Sequence, residues 1–374
     1  MATLPHEMTI EILLRLSVKD LLRFKCVSKP WCSSIDDPDF IKLHLSHSVK
    51  TNTNHSLILR HCEYHFFSVN YDSLKTTQRL NHPLGEQKTP IKILGTCNGL
   101  LAVIDDNGRI FLWNPSTRKS QVLPSTEIEF SSPSIFFPRS TYYGFGYDPI
   151  SDDYKLVRMV QVHGKNNSYL HSEAKVYSLR SNSWRRIKDF CFYLSFYREF
   201  GFLADNALYW MVLKTPQSGN KSLVGFDLGT EEFRFVELPD SCLNKRFCMN
   251  MKAMGGYLCL IATYTEFNDD VVDIWIMKES WIKLISWKKS ESILGFPIVI
   301  PLAFSKSGDK VLFSIALHKF VWYDLGRFVW YDLGSKKVEK VGIRDVPIIH
   351  DVDLYVQSLV PLNSNALMIN NEMP

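Results

Sequence analysis

The chain has 374 residues, of which 45% are apolar and 22% are charged, and its formal net charge is +4. This composition is typical of a globular protein with enough length for a large core, and it excludes a disordered or fibrous chain. The small net charge, without a dense Lys/Arg run, argues against nucleic acid as the main partner. No apolar run reaches the length of a membrane span, so we expect no membrane insertion.

Residues 4–45 carry a helical pattern. Met8, Ile12 and Leu16 recur every fourth residue with Leu13 beside them, which predicts an amphipathic helix that begins near Pro5. A second helix is predicted over 18–27 and a third over 31–35, ended by residues 36–38. Three short helices make a small core. On pattern alone the segment is either a cap on the downstream domain or an interaction module.

Ser17 is the predicted N-cap of the second helix. Residues 46–55 are polar and form the predicted linker between residues 1–45 and the rest of the chain.

From residue 56 onward, short apolar and aromatic runs alternate with turn residues, which predicts strands joined as hairpins. Tyr177, Phe226 and Trp275 occupy matching positions in three successive units, each 49 residues apart. A four-stranded sheet needs about 50 residues, as in kelch-type propeller blades. We therefore predict that residues 56–362 form an all-β domain, a kelch-like β-propeller of about six blades. A β-sandwich is the alternative.

The end of the chain contains a closing strand and a duplication. Residues 353–362 are predicted to pair with the first blade and to remove its exposed edge, followed by a polar tail over 363–374. KFVWYDLG at 319–326 is followed at once by RFVWYDLG at 327–334. Because eight is an even number, either copy presents the same side chains to the core. We predict that one copy lies in the sheet and that the other is displaced as an extra strand or loop.

We find no pattern of residues for catalysis, a cofactor or a metal. The eight cysteines include no C-x-x-C pair, so we expect reduced thiols in an intracellular protein and neither a RING nor a thioester-forming ligase. Residues 144–146 (Gly-Phe-Gly) lack the third glycine and the helix of a phosphate loop. His61 and His65 could ligate a metal, but Cys62 next to His61 would face the opposite side of a strand. We predict a protein that is not an enzyme and needs no cofactor or metal.

Three further features have packing or turn interpretations. The acidic pairs at 105–106, 152–153 and 269–270 fall in predicted turns, where Asp caps its own backbone. The alternative is attraction of a basic client. Trp113 and Trp184 are predicted to pack within blades, with a binding hot spot as the alternative.

The N-terminal segment resembles an F-box at close to full length. The matching residues are Leu4-Pro5, residues 11–13, Arg15-Leu16, Leu21, Arg23-Phe24, residues 27–29, Trp31, Ile35, Pro38 and Phe40. The resemblance implies docking onto a Skp-family adaptor, which is held by a cullin scaffold with a RING subunit. It implies a set of residues that are adaptor-facing or belong to the module core, two classes that the sequence does not separate: Leu4, Pro5, Ile12, Leu13, Leu16, Leu21, Val27 and Trp31.

The remainder is similar to the F-box-associated domain of plant F-box proteins. The resemblance rests on residues 97–101 (CNGLL), 112–117 (LWNPST), 144–148 (GFGYD), 153–157 (DYKLV), 176–179 (VYSL), Trp184 and 282–283. It implies the substrate-recognition subunit of an SCF-type ubiquitin ligase with a protein client of unknown identity. We predict a cytoplasmic location, with the nucleus as the alternative. Within the class, the chain resembles the S-locus F-box group, for which the client would be a pistil ribonuclease in self-incompatibility. The alternatives are a scaffold that binds adaptor and partner without degradation, and a propeller enzyme with a helical cap.

Overall fold

The computed structural model describes residues 5–61, 64–85, 89–129, 139–163, 169–194, 199–215, 221–243, 247–265, 270–288, 298–316, 327–346 and 348–362. The chain divides into two compact units. One comprises residues 1–92, 96–123 and 342–374, and the other comprises residues 93–95 and 124–341. Among the described residues, no helix has the length and apolar content needed to cross a membrane.

The described residues form five helices and twenty-five strands. In chain order, the elements are α1 (His6–Leu14), α2 (Val18–Phe24), α3 (Lys29–Asp36), α4 (Pro38–Lys50), β1 (His55–His61), β2 (His65–Asn70), β3 (Thr77–Leu80), β4 (Ile91–Cys97), β5 (Leu100–Asp105), β6 (Ile110–Asn114), β7 (Lys119–Val122), β8 (Arg139–Asp148), β9 (Asp153–His163), β10 (Tyr169–Ser178), β11 (Ser183–Arg186), β12 (Tyr193–Leu194), β13 (Phe202–Ala204), β14 (Ala207–Leu213), β15 (Lys221–Asp227), β16 (Phe233–Val236), α5 (Asp240–Leu243), β17 (Phe247–Met254), β18 (Tyr257–Thr265), β19 (Asp270–Met277), β20 (Trp281–Lys288), β21 (Ile298–Phe304), β22 (Lys310–Ala316), β23 (Arg327–Asp332), β24 (Val338–Val341) and β25 (Ile349–Val356).

The first unit contains α1–α4 and two antiparallel sheets, except for residues 93–95 of β4, which are assigned to the second unit. Sheet 1 has the strand order β25-β1-β2-β3, and sheet 2 has the order β4-β5-β6-β7. In sheet 1 the C-terminal strand β25 pairs with β1, with Leu57 opposite Leu354. The predicted pairing of the C-terminal strand with the first blade is therefore confirmed, although the strand ends at Val356.

The second unit contains four more sheets. Sheet 3 has the order β8-β9-β10-β11, sheet 5 the order β17-β18-β19-β20, and sheet 6 the order β21-β22-β23-β24. Sheet 4 runs β12-β14-β15-β16, and β13 also pairs with β14. Apolar side chains from sheets 3 and 4 share one buried cluster, which includes Tyr142, Trp210 and Phe226. The described strands thus form six sheets, the blades of the predicted six-bladed β-propeller.

The repeat identified in the sequence corresponds to the third strand of each sheet. Tyr177 lies on β10, Phe226 on β15 and Trp275 on β19, and each of these strands is third in its sheet. Tyr331 takes the same place on β23 of sheet 6, so the second copy of the duplication, 327–334, supplies the paired strand. The first copy, 319–326, lies outside the described residues, as does the predicted tail over 363–374.

The turn after the third strand has a common construction in three sheets. Asn114 Oδ1 accepts a hydrogen bond from the Ser116 amide at 2.9 Å. In the same way, Asp227 Oδ1 accepts from the amide two residues on at 2.9 Å, and Asp332 Oδ1 accepts at 3.1 Å. Each turn then passes through a left-handed residue, as does the equivalent turn of sheet 3: Arg118, Asn182, Glu231 and Lys336, with φ of 58°, 49°, 60° and 59°. These Asx turns explain why a short polar residue follows the aromatic strand in the repeat.

The helical segment differs from the sequence prediction in two ways. Pro30 lies in the first turn of α3, and a fourth helix, α4, extends from Pro38 to Lys50. Residues 46–50 of the predicted linker are therefore helical, because Asp37 caps a new helix and Pro38 occupies its first turn. The division of the chain at residues 45 and 55 otherwise stays a prediction.

Candidate functional site

We define the N-terminal module as α1–α4. Three polar side chains cap the N-termini of α2, α3 and α4. Ser17 Oγ accepts the Asp20 amide at 3.2 Å, as predicted for an N-cap. Ser28 Oγ accepts the Trp31 amide at 3.3 Å, and Asp37 Oδ1 accepts the Phe40 amide at 3.1 Å. Each cap satisfies an amide that the helix leaves unpaired, so three short helices start at defined residues despite their low intrinsic stability.

The core of the module is small, but its apolar side chains are fully buried. Leu13, Val18, Leu21 and Ile35 are each 0% exposed. His44 is 1% exposed, and its Nε2–H donates to the Leu16 carbonyl at 2.9 Å, closing the end of α1 against α4. Burial lowers the pKa of His44, which favours the neutral imidazole.

A second set of apolar side chains of this module faces solvent. Met8 and Ile12, one helical turn apart on α1, are 56% and 48% exposed, and Val27 after α2 is 60% exposed. Pro5, which caps α1, is also exposed. Large apolar residues left outside a complete core mark a surface that a partner can cover.

The predicted site residues therefore divide by burial. Leu13 and Leu21 are core residues, whereas Pro5, Ile12 and Val27 are exposed. The half-buried pair comprises Leu16 and Trp31, and the Trp31 ring packs edge-on against Phe24 with centroids 5.5 Å apart. Leu4 lies outside the described residues.

The sequence-based set missed three exposed apolar residues of the module, namely Met8, Leu43 and Val49. Met8 belongs to the predicted apolar stripe of α1 but not to the predicted site residues. Leu43, 49% exposed, lies on α4, which was not predicted. Reading Asp37-Pro38 as a helix start instead of a stop would have revealed Leu43.

The module also carries two ion pairs and a thiol. Lys25 pairs with Asp36 between α2 and α3, and Arg23 pairs with Asp20 at 3.3 Å. A hydrogen bond to Asp36 raises the pKa of the Cys32 thiol, which disfavours the thiolate that a thioester-forming ligase would need.

The other chemistry-bearing motifs have structural roles. Gly144 lies within β8, and a Cβ at that position would come within 2.5 Å of the Trp210 ring, so the Gly-Phe-Gly sequence makes room for an indole. Asp105 Oδ1 accepts the amides of Asn107 and Arg109 at 3.0 and 2.8 Å, the turn role predicted for it. His61 and His65 are cross-strand partners, while Cys62 and Glu63 lie outside the described residues. Within the residues that the structure describes, no group of three or more His, Cys, Asp or Glu side chains could hold a metal ion.

The two predicted tryptophans have packing roles. Trp113 is 1% exposed and packs against Phe66 with ring centroids 5.5 Å apart. Trp184 Nε1 donates to the Pro124 carbonyl at 2.8 Å.

Sequence comparison agrees with this architecture. Residues 1–43 match the F-box domain, and residues 52–362 match the F-box associated beta propeller domain. The chain belongs to the F-box proteins that carry this β-propeller domain. Three Arabidopsis thaliana relatives illustrate the family. F-box protein CPR1 is 36% identical, with 96% of this chain and 89% of the relative aligned. F-box protein At4g22390 is 30% identical over 87% and 84%, and F-box/kelch-repeat protein At3g23880 is 32% identical over 78% and 80%.

Membership of this family indicates a general binding role for the α1–α4 module. An F-box domain implies binding to a Skp-type adaptor in an SCF complex, and F-box proteins are generally non-catalytic subunits. The S-locus grouping is not tested by these relatives and stays a prediction.

Proposed function

We propose that this chain is the substrate-recognition subunit of an SCF ubiquitin ligase. Its F-box docks the Skp adaptor, which connects it to the cullin and RING subunits, and its β-propeller holds a protein client. The chain itself contributes binding and orientation, and its partners carry out ubiquitin transfer.

The observation that carries the proposal is the exposed apolar set of the F-box, namely Pro5, Met8, Ile12 and Val27. Ile12 and Val27 are 48% and 60% exposed, although the core beneath them is closed by Leu13 and Leu21. Apolar side chains that a module does not use for its own core can be buried in a stable interface instead. We assign Leu16 and Trp31 to the border of the same surface.

The test is co-purification of a Skp-family adaptor with the full chain. We expect Ile12→Asp combined with Val27→Asp to reduce adaptor recovery at least tenfold, because two charges would be buried without partners. Val49→Asp is the matched control, since Val49 on α4 is 55% exposed and receives the same change. Equal recovery with wild type and the double variant would refute the proposed surface.

Degradation is tested separately from docking. Under proteasome inhibition, a client captured by the full chain should accumulate, and the double variant should lose this effect. A client whose half-life is indifferent to proteasome inhibition would favour the non-degradative scaffold. A pistil ribonuclease client and a cytoplasmic or nuclear location stay predictions.

A further inference from the structure

Sheet 3 carries a row of cations across three adjacent strands. Lys175 on β10 is directly opposite Arg158 on β9 and Arg186 on β11. Arg158 and Lys175 are 7% and 5% exposed, and Glu173, two residues before Lys175 on the same face, is 1% exposed. We call Arg158, Glu173, Lys175 and Arg186 the charged row.

The chain covers this row with its own segment 124–129, which we call the strap. Arg158 donates to the Thr126 carbonyl at 2.7 Å and to the Glu127 carbonyl at 3.0 Å, and Lys175 donates to the Glu127 carbonyl at 2.8 Å. These three contacts recognise main-chain atoms, and a fourth, longer one joins Lys175 Nζ to the Thr126 hydroxyl at 3.4 Å. Main-chain contacts are how a protein holds an extended peptide of variable sequence.

The last residue of the strap supplies the acidic contacts. Glu129 Oε1 lies 2.7 Å from Lys175 Nζ, and its Oε2 lies 3.3 Å from Arg186. The Glu129 amide donates to Glu173 Oε2 at 2.7 Å. Two cations of the row also pair outside the strap, Arg158 with Glu173 and Arg186 with Asp189, each at 2.9 Å. The row therefore contacts one carboxylate of the strap as well as its backbone.

Three other sheets fill the same repeat position mainly with apolar residues. The cross-strand triplets equivalent to Arg158, Lys175 and Arg186 are Val103, Phe111 and Val122 in sheet 2, Trp210, Val224 and Phe235 in sheet 4, and Phe313, Val329 and Lys340 in sheet 6. Sheet 5 instead has Ala262, Asp273 and Ser286, and the buried Asp273 pairs with Lys283 at 2.7 Å. The fold thus does not require charge at this position. Buried ion pairs are commonly no more stabilising than apolar residues of similar volume, so the charged row calls for a role besides folding.

One part of the strap's anchoring does recur. Trp184 Nε1 donates to the Pro124 carbonyl at 2.8 Å, and Trp281 Nε1 in sheet 5 donates to the Glu237 carbonyl at 2.7 Å. An indole that holds the incoming connection is therefore a general device of these blades. The charged row is the feature particular to sheet 3 among the sheets compared above.

The strap does not satisfy the row completely. Among the described residues, the buried Nε–H of Arg158 has no acceptor. A buried donor without a partner costs about 1–3 kcal/mol and is uncommon in native structures.

We propose that the charged row of sheet 3 is a binding site for an extended acidic peptide of the client, and that the strap occupies this site in its absence. The assignment to a client rests on the proposed function. The site itself does not. The tethered strap competes with any ligand. The apparent affinity of the ligand therefore equals its intrinsic affinity multiplied by the fraction of molecules in which the row is open.

The test uses the full chain and a fluorescein-labelled peptide Pro-Ser-Thr-Glu-Ile-Glu, which copies residues 124–129. Binding is measured by fluorescence anisotropy. We expect Glu129→Gln to bind the peptide three- to tenfold more tightly than wild type, because it removes the charge that holds the strap to Lys175 and Arg186. Glu127→Gln is the matched control, since that side chain is exposed and the row contacts only its carbonyl. It should bind like wild type.

Two further arms identify what is recognised. Adding Lys175→Met to Glu129→Gln should abolish binding, and the thermal midpoint of this variant reports whether it folds. A peptide with Gln in place of both Glu residues should bind at least tenfold more weakly than the acidic peptide.

Hydrogen exchange of amides 125–129 shows whether the strap has opened. If Glu129→Gln leaves exchange unchanged, Glu129→Pro replaces it, since this change also removes the N–H that Glu173 accepts. An opened variant that binds neither peptide, or binds both equally, overturns the proposal. None of these variants alters the F-box, so adaptor co-purification should be unchanged and the proposed function is judged independently.

Discussion

Asn114 gives the most direct test of how the first unit is held together. Its side chain is 0% exposed at the end of β6. Its Nδ2 group donates to the carbonyls of Ser358 and Val360, at 3.1 and 2.9 Å, and its Oδ1 accepts the amides of Ser116 and Thr117. One amide group thus caps its own turn and holds the segment that follows the C-terminal strand.

Replacing Asn114 with Asp removes the two donated bonds and keeps the acceptor. The carboxyl group would then face two carbonyl oxygens at about 3 Å. Each buried carbonyl that loses its donor costs about 1–3 kcal/mol, so the free energy of unfolding should fall by about 2–6 kcal/mol. For a domain of this size we expect the thermal midpoint to fall by about 5–15 °C.

The matched control is the opposite exchange at the equivalent turn of sheet 4. Asp227 Oδ1 accepts the amides of Gly229 and Thr230 at 2.9 and 2.8 Å, and Asn offers the same acceptor. Asp227→Asn should therefore shift the midpoint by less than about 2 °C. Differential scanning fluorimetry of the two variants beside wild type measures both shifts. A midpoint for Asn114→Asp equal to that of wild type would refute the reasoning.

Three further predictions concern the F-box and one hairpin. Leu21→Ala should destabilise the F-box by about 2–5 kcal/mol, while Ile12→Ala should change it by less than about 0.5 kcal/mol. Native-state hydrogen exchange of the α1–α4 amides measures both. Because burial lowers the pKa of His44 below 6.5, the stabilisation from its neutral form is present above pH 6.5 and is lost as the pH falls from there through the lowered pKa. The protection factors of the same amides, which remove the intrinsic pH dependence of exchange, should fall between pH 7.5 and 5, and His44→Gln should flatten this decline. Lys336→Gly should raise the thermal stability by about 1 kcal/mol, since Lys336 has a φ of 59° that glycine adopts without strain. A fall in the midpoint would show that the Lys336 side chain stabilises the turn.

The blade pattern could be predicted because it is local. Tyr177, Phe226 and Trp275 each lie on a third strand that ends in a tight turn, and a turn of this kind needs particular residues in order along the chain. Periodicity therefore located the third strand of sheets 3, 4 and 5.

The helical module was harder to predict, for two physical reasons. Pro38 both ends one helix and begins the next, and only the Asp37 cap distinguishes these roles. The four-residue spacing of Met8, Ile12 and Leu16 correctly indicated one face of a helix. It did not indicate whether that face packs inside the module or outside it, because burial depends on helices that are distant in the sequence.

The charged row could not be predicted for a related reason. Arg158, Lys175 and Arg186 are spread over 29 positions of the chain. They become neighbours only through the register of three strands, and none of them belongs to a recognisable motif. A long-range juxtaposition of this kind is visible only once the strands are paired.

The duplication near the C-terminus allows a stringent test of strand register. Ile315 on β22 is paired with Arg327 on β23. Removing residues 319–326 would leave three residues, 316–318, between this pair, a common length for a hairpin connection. The sequence from Arg327 onward would be unchanged. We therefore expect the deletion to keep the thermal midpoint within about 2 °C of wild type. Val329→Asp, which places a charge at a site only 5% exposed, should lower the midpoint far more. A deletion variant as unstable as Val329→Asp would mean that residues 319–326 contribute to the stability of sheet 6, contrary to the view that one copy suffices.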